Sequence, residues 1–76
     1  MMNMEQYVIA LKRAMWGKMR LSDVFSRLES VEGYRIVGDT SGVRTLIEAN
    51  GKALGQIEAK LGDFCYIEPV ILHTRQ

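Results

Sequence analysis

What the chain has little of already excludes several kinds of site. Its 76 residues include one cysteine, one histidine and one proline, and the net charge is only +1. The lone Cys65 cannot form an internal disulfide, and Cys65 with His73 falls short of the four ligands of a structural zinc site. A net charge this small gives no broad electrostatic footprint for nucleic acid or for an anionic membrane. We therefore expect no metal, no cofactor, no nucleic-acid partner and no membrane partner.

Long hydrophobic runs are missing as well. The longest apolar stretch, at 7–11, has five residues, whereas a membrane-spanning helix needs about 20. The start, MMNMEQ, lacks a basic region followed by an apolar one, so no secretory signal is visible. Hydrophobic content of 47% and charged content of 25% are ordinary for a globular protein. We therefore expect residues 1–76 to form one cytoplasmic domain with a thin core, because so small a domain buries only about 60% of its unfolded surface.

The first half of the chain changes its hydrophobic period from two to that of a helix. QYVIALK, at 6–12, is apolar and β-branched enough for a buried strand. From residue 21 the apolar positions recur at i, i+3, i+4, i+7 and i+10, which is one stripe of a helix. Ser22 and Asp23 suit its first turn, because their oxygens accept from free amide groups. Gly33 should end this helix. The stripe consists of Leu21, Val24, Phe25, Leu28 and Val31.

A hairpin is predicted next. YRIVG, at 34–38, and VRTLIEA, at 43–49, alternate as strands do, and the turn residues GDTSG, at 38–42, join them. Because the two glycines of this turn lie between strands, it reads as a turn and not as a phosphate-binding loop before a helix.

A second helix and a last strand complete the pattern. Asn50 is a good N-cap for a helix over 51–61, which Gly62 should end. FCYIEPVIL, at 64–72, reads as the closing strand. Pro69 cannot donate to a strand ladder, so it should lie at an edge, at a bulge or at the end of the strand.

The element order, β-α-β-β-α-β, predicts an α+β ferredoxin-like sandwich. Two right-handed split βαβ units give a four-stranded antiparallel sheet, with strand order 4-1-3-2 and both helices on one face. The other face is open, and alternation along the strands places Tyr66 and Glu68 together on one side of the last strand. The first strand is apolar on both sides, so a partner protein or a second copy should cover the open face, as in a homodimer formed through the sheet.

No catalytic set is found. Cys65 and His73 lie eight residues apart, which is about 25 Å in an extended chain. No acid–base or nucleophile pair is present otherwise, so we expect no enzymatic activity. Met15, Trp16 and Met19 leave two readings open: they fold over one end of the core, or they form an exposed docking patch.

Two short strands carry a resemblance to a known family. Members of the subtilisin propeptide or inhibitor I9 family open with a strand resembling Y-I-V-x-L-K and close with a segment resembling V-x-Y-V-E-x-D. The chain is similar to these at its first strand, through Tyr7, Val8, Ile9, Leu11 and Lys12, and at its last, through Phe64, Tyr66, Ile67 and Glu68. The final aspartate of the family pattern is not matched, since Pro69 and Val70 follow Glu68.

The resemblance implies a non-enzymatic protein-binding module, an inhibitor or folding chaperone of a subtilisin-like serine protease. The open sheet face would pack on two surface helices of the protease, with Glu68 and Glu48 near their N-termini and Tyr66 beside them. The tail, residues 71–76, would lie in the active-site cleft as an added strand. Its last four residues would fill successive specificity pockets: His73, Thr74, Arg75 and Gln76.

Two alternatives stay open. The chain also fits a self-associating regulatory or small-ligand-binding domain that resembles the ACT type, using the loop around Gly17 and a partner subunit. Such a domain would associate through its sheet and ignore removal of the tail. The tail itself also fits a frayed terminus with no role.

Overall fold

The computed structural model describes residues 4–70, and in this part of the chain the predicted order of elements is confirmed. The tail, at 71–76, lies outside the described residues. The α-helices are α1 (Leu21–Phe25) and α2 (Gly51–Leu61), and the strands are β1 (Glu5–Leu11), β2 (Tyr34–Ile36), β3 (Arg44–Ala49) and β4 (Cys65–Pro69).

The four strands form one antiparallel sheet in the order β2-β3-β1-β4. This is the predicted strand order, read from the opposite edge. The central position of β1 is visible at Val8, which lies opposite Leu46 of β3 on one side and Glu68 of β4 on the other. β4 is an edge strand and Pro69 is its last residue, as its missing N–H group led us to expect.

One hydrophobic core lies between the sheet and the helices. Alternate residues of β1, among them Ile9, are buried, and so are alternate residues of β3, among them Ile47. Both helices contribute to the same cluster, α1 through Leu21 and α2 through Ile57. All five residues of the predicted helical stripe at 21–31 are buried. The helices therefore cover the sheet face that carries Ile9 and Ile47.

α1 is shorter than the stripe predicts, which corrects the expectation of a helix reaching Gly33. It ends at Phe25 and continues as a 3₁₀ turn, Ser26–Leu28. The Ser26 hydroxyl donates to the Asp23 carbonyl at 2.6 Å, and such bonding competes with the backbone ladder. Gly33 has a φ of +94° and leads into β2 instead of ending the helix.

The start of α1 confirms the predicted role of Asp23 in the first turn. The N-cap residue is Arg20. The Arg20 backbone N–H donates to a carboxylate oxygen of Asp23 at 3.1 Å, so the acid alone serves the first turn.

α2 begins and ends as predicted. The Asn50 side chain accepts from the backbone N–H of Ala53 at 2.8 Å, which satisfies one of the free donors of the first turn. Gly55, in the middle of α2, is exposed, and no atom lies within 4 Å of where its Cβ would be. It therefore permits no close packing on the sheet and only weakens the helix.

Candidate protein-binding face

The face of the sheet turned away from the helices is the candidate site, and we call it the open face. It carries the side chains that alternate with the buried ones on each strand. Its members are Gln6, Val8 and Ala10 of β1, Arg35 of β2, Arg44, Leu46 and Glu48 of β3, and Tyr66 and Glu68 of β4.

One end of the open face is a polar row across three strands. Arg35, Glu48 and Gln6 lie opposite one another on β2, β3 and β1. The guanidinium of Arg35 donates to one carboxylate oxygen of Glu48, and the Gln6 amide donates to the other at 3.4 Å. These hydrogen bonds, the one from Arg35 above all, hold the pKa of Glu48 below its usual value. Glu48 is thus an ionised carboxylate already engaged within its own chain.

The middle of the open face is apolar. Val8 of β1 lies opposite Leu46 of β3, and both side chains are half-buried. On the other side of Val8 stands Glu68, whose exposed carboxylate has no hydrogen bond or ion pair to residues 4–70. A carboxylate without a partner beside an apolar strip is available to a group from another molecule.

The far end of the open face holds its one aromatic side chain. Tyr66 lies opposite Ala10, and 59% of Tyr66 is exposed. The ammonium of Lys12 stands 5.3 Å from the centre of the Tyr66 ring, within the range of a cation–π contact. A shallow depression of about 290 Å³ adjoins this ring and is lined by Val8, Ala10, Arg44, Tyr66, Glu68 and Pro69.

The structure thus brings together three of the predicted site residues. Glu48, Tyr66 and Glu68 share the open face, Glu48 on β3 and the other two on β4. The remaining four, from His73 to Gln76, lie outside the described residues. Sequence reasoning missed Arg35 as the partner of Glu48: alternation can place both on one face, but their pairing depends on the register of β2 and β3.

Cys65 is a core residue. The whole residue is 3% exposed, and burial raises the pKa of its thiol. A thiol is nucleophilic only as thiolate, so burial keeps Cys65 unreactive. Among residues 4–70 no cluster of acidic, histidine or cysteine side chains could hold a metal ion.

The apolar loop after β1 mostly folds over one end of the core. Met15 and Met19 pack against the core, and Trp16 stays 48% exposed. The Trp16 indole N–H donates to the Leu11 carbonyl at 2.9 Å, which fixes the ring beside the sheet. A depression of about 490 Å³ separates this loop from the hairpin turn at 39–43.

Comparison with models of protein families, with curated proteins and with solved structures finds no match for this chain. Within the described part, 4–70, no helix has the length and hydropathy needed to cross a membrane. Any functional conclusion therefore rests on the residues and their geometry.

Proposed function

We propose that this chain is a non-enzymatic protein-binding module of ferredoxin-like fold that uses its open sheet face. The observation that carries the proposal is the middle of that face, where half-buried Val8 and Leu46 adjoin Glu68. An apolar strip beside a carboxylate that has no partner among residues 4–70 suits contact with a protein surface better than contact with solvent. The exposed ring of Tyr66 adds a side chain of the kind enriched at such interfaces.

The partner we propose is a subtilisin-like serine protease, for which the chain would act as a propeptide-like inhibitor or folding chaperone. Support comes from the two strands that resemble that family. They are neighbours in the sheet, and on the open face Val8 of β1 lies opposite Glu68 of β4. The two short motifs therefore form one continuous surface.

The two glutamates have unequal parts in this proposal. Glu68 has no partner among residues 4–70 and is free to stand at the positive N-terminus of a protease helix. Glu48 is held by Arg35 and would have to exchange that ion pair on binding. We therefore assign the helix-capping role chiefly to Glu68.

The tail supplies the second half of the proposed contact. Val70, the last described residue, still donates its backbone N–H to the Gln6 carbonyl at 2.9 Å, so the chain is paired with β1 up to the start of the tail. Residues 71–76 would then add a strand to the protease cleft, with main-chain hydrogen bonds giving affinity. His73, Thr74, Arg75 and Gln76 would occupy successive pockets.

Inhibition of a subtilisin-like protease tests the proposal. We expect the intact chain to inhibit and a chain ending at Val70 to lose most of that inhibition. Glu68→Gln should weaken inhibition about two- to fivefold, the size of a charge effect at a helix end. Glu32→Gln is the matched control, because this exposed glutamate lies outside the sheet. An intact chain that is digested without inhibiting overturns the protease assignment.

A second candidate is a self-associating small-ligand-binding domain that resembles the ACT type. The depression beside the loop that contains Gly17 favours it, since Trp16, Met19 and Arg20 line one wall. An aromatic ring with a cation suits a small amphipathic ligand. In this case the chain ending at Val70 would bind and associate as well as the intact one.

A further inference from the structure

The outer edge of β4 has a hydrogen-bonding pattern that its register with β1 fixes. The Lys12 N–H donates to the Phe64 carbonyl at 2.8 Å, and the Val70 N–H donates to the Gln6 carbonyl at 2.9 Å. In an antiparallel pair such bonds recur at every second residue. The backbone groups of residues 66 and 68 therefore face β1, and those of residues 65, 67 and 69 point away from the sheet.

Pro69 stands at one of the outward positions. Its missing N–H group thus removes nothing from the ladder with β1, and its carbonyl remains an outward acceptor. The outward groups are the N–H groups of Cys65 and Ile67 and the carbonyls of these two residues and of Pro69. Cys65 is 3% exposed, so Ile67 offers the more accessible donor. Among residues 4–70 these outward groups have no hydrogen-bond partner, and such a row is a template for another strand.

We propose that this edge pairs with the same edge of a second copy, antiparallel, with a two-fold axis at Ile67. Ile67 and Ile67 of the partner subunit would exchange two hydrogen bonds. Each Cys65 N–H group would donate to the carbonyl of Pro69 of the partner subunit. In this register both outward donors of each chain find acceptors, and no bond requires an N–H group from proline.

Charge complementarity favours the second copy as the occupant. In this register Tyr66 lies opposite Glu68 of the partner subunit, in a pair not joined by hydrogen bonds, where side chains approach most closely. The Lys12 ammonium already stands over the Tyr66 ring at 5.3 Å. The Glu68 carboxylate, which has no partner among residues 4–70 of its own chain, therefore meets a cation of the other subunit.

Lys12 and Glu68 cannot form this ion pair within one chain. Lys12 lies opposite Phe64, four residues before Glu68 on the neighbouring strand, so about 13 Å separate them along the strands. A register shifted by one pair would place Tyr66 opposite Tyr66 of the partner subunit and leave both Glu68 carboxylates alone. Of these two registers, only the one centred on Ile67 brings Glu68 of each subunit close to Lys12 of the other.

The inference goes beyond the proposed function, because it concerns strand pairing with a second copy at the edge of β4, in which Tyr66 and Glu68 of the open face also take part. Pairing would join two sheets into one of eight strands. A contact of one strand edge is small and belongs to the weak class, so we expect a dimer with a dissociation constant on the order of 100 μM.

Sedimentation equilibrium with charge-reversed variants tests the proposal. Glu68→Lys and Lys12→Glu should each weaken the dimer about tenfold or more, because each places like charges across the two-fold axis. Combining both changes in one chain should restore it. An equimolar mixture of the two single variants should form a heterodimer, because both of its ion pairs then join opposite charges.

A backbone variant gives an independent readout. Ile67→Pro removes the outward N–H group and should abolish pairing, whereas Ile67→Val keeps it and should pair like the natural chain. If Ile67→Pro does not fold, the equimolar mixture of Glu68→Lys and Lys12→Glu still tests the proposed pairing. A natural chain that is monomeric at about 1 mM, roughly ten times the expected dissociation constant, overturns the proposal. A dimer that ignores both Glu68→Lys and Ile67→Pro also overturns it, because its contact then involves neither the edge of β4 nor the Glu68 carboxylate.

Discussion

Gly33 and Asn50 lie against each other where the chain enters β2. The Asn50 backbone N–H donates to the Gly33 carbonyl at 3.0 Å. Gly33 has a φ of +94°, and a Cβ there would stand 2.2 Å from the Asn50 side-chain nitrogen. Asn50 cannot move aside without losing the bond from Ala53 that caps α2.

Gly33→Ala should therefore lower the free energy of unfolding by about 2 kcal/mol or more, through backbone strain and the clash together. Urea unfolding followed by circular dichroism measures it. Gly17→Ala is the control, because no atom lies within 4 Å of its Cβ position and its φ is not positive. Equal stability of the two variants would contradict the close contact.

A buried hydroxyl gives the second prediction. Thr45 is 5% exposed, and within residues 4–70 its hydroxyl is the one buried side-chain oxygen or nitrogen without a hydrogen-bond partner. Thr45→Val keeps the shape and removes the unsatisfied oxygen, so it should stabilise the fold by about 1 kcal/mol. Thr45→Ser keeps the oxygen and loses a methyl group, and should destabilise by about 1 kcal/mol. Urea midpoints in the reverse order would show that the hydroxyl has a partner in solution.

The third prediction concerns the exposed glycine of α2. Gly55→Ala should stabilise the chain by about 0.5–1 kcal/mol, because alanine loses less conformational freedom in a helix and nothing obstructs its Cβ. Ala59→Gly, at another exposed position of α2, should have the opposite sign and a similar size. Thermal unfolding of the two variants checks both. Loss of stability in Gly55→Ala would mean that this face of α2 has a neighbour.

The fourth prediction is a pH dependence. The pKa of Glu48 is lowered in the folded chain, by Arg35 first and then by Gln6, from an ordinary value of 4.5. A lowered pKa means that this stabilisation is complete above the unfolded value and is lost as the pH falls through the folded one. The natural chain should thus unfold at a higher temperature than Glu48→Gln at pH 7, and the difference should vanish in acid.

Scanning calorimetry between pH 7 and about pH 2, below the ordinary range of carboxyl groups, measures that difference. Arg35→Gln is the companion variant, since it removes the main cause of the lowered Glu48 pKa. It should therefore reduce the pH dependence of the difference in unfolding temperature. Because Arg35 is 71% exposed at its side chain, added salt should reduce the effect. A difference that grows in acid would contradict the ion pair.

Most of the fold follows from local patterns in the sequence. Period-two alternation predicted the strands, and Asn50 predicted the start of α2. Each of these two signals depends only on residues close together in the sequence. The end of α1 did not follow, because the bond from Ser26 to the Asp23 carbonyl depends on side-chain rotamers. The apolar stripe predicted a longer helix because it includes Val31, which is buried although the helix ends before it.

The candidate site was less predictable than the fold. Alternation placed Tyr66 and Glu68 on one side of a strand, but the row of Arg35, Glu48 and Gln6 needs the register of three strands. Register depends on contacts between distant residues, which one sequence does not reveal. The roles of residues 73–76 stay predictions.

The central position of β1 has a consequence for synthesis. Val8 pairs with Glu68, sixty residues later in the chain. Contacts so distant in sequence form slowly, because a long loop must close before they contribute. While β4 is still inside the ribosome, one side of β1 has no neighbour, and an apolar strand with an open side is prone to aggregate. β1 is the first of the four strands to leave the ribosome, and it gains its second neighbour only when β4, the last of them, has left as well.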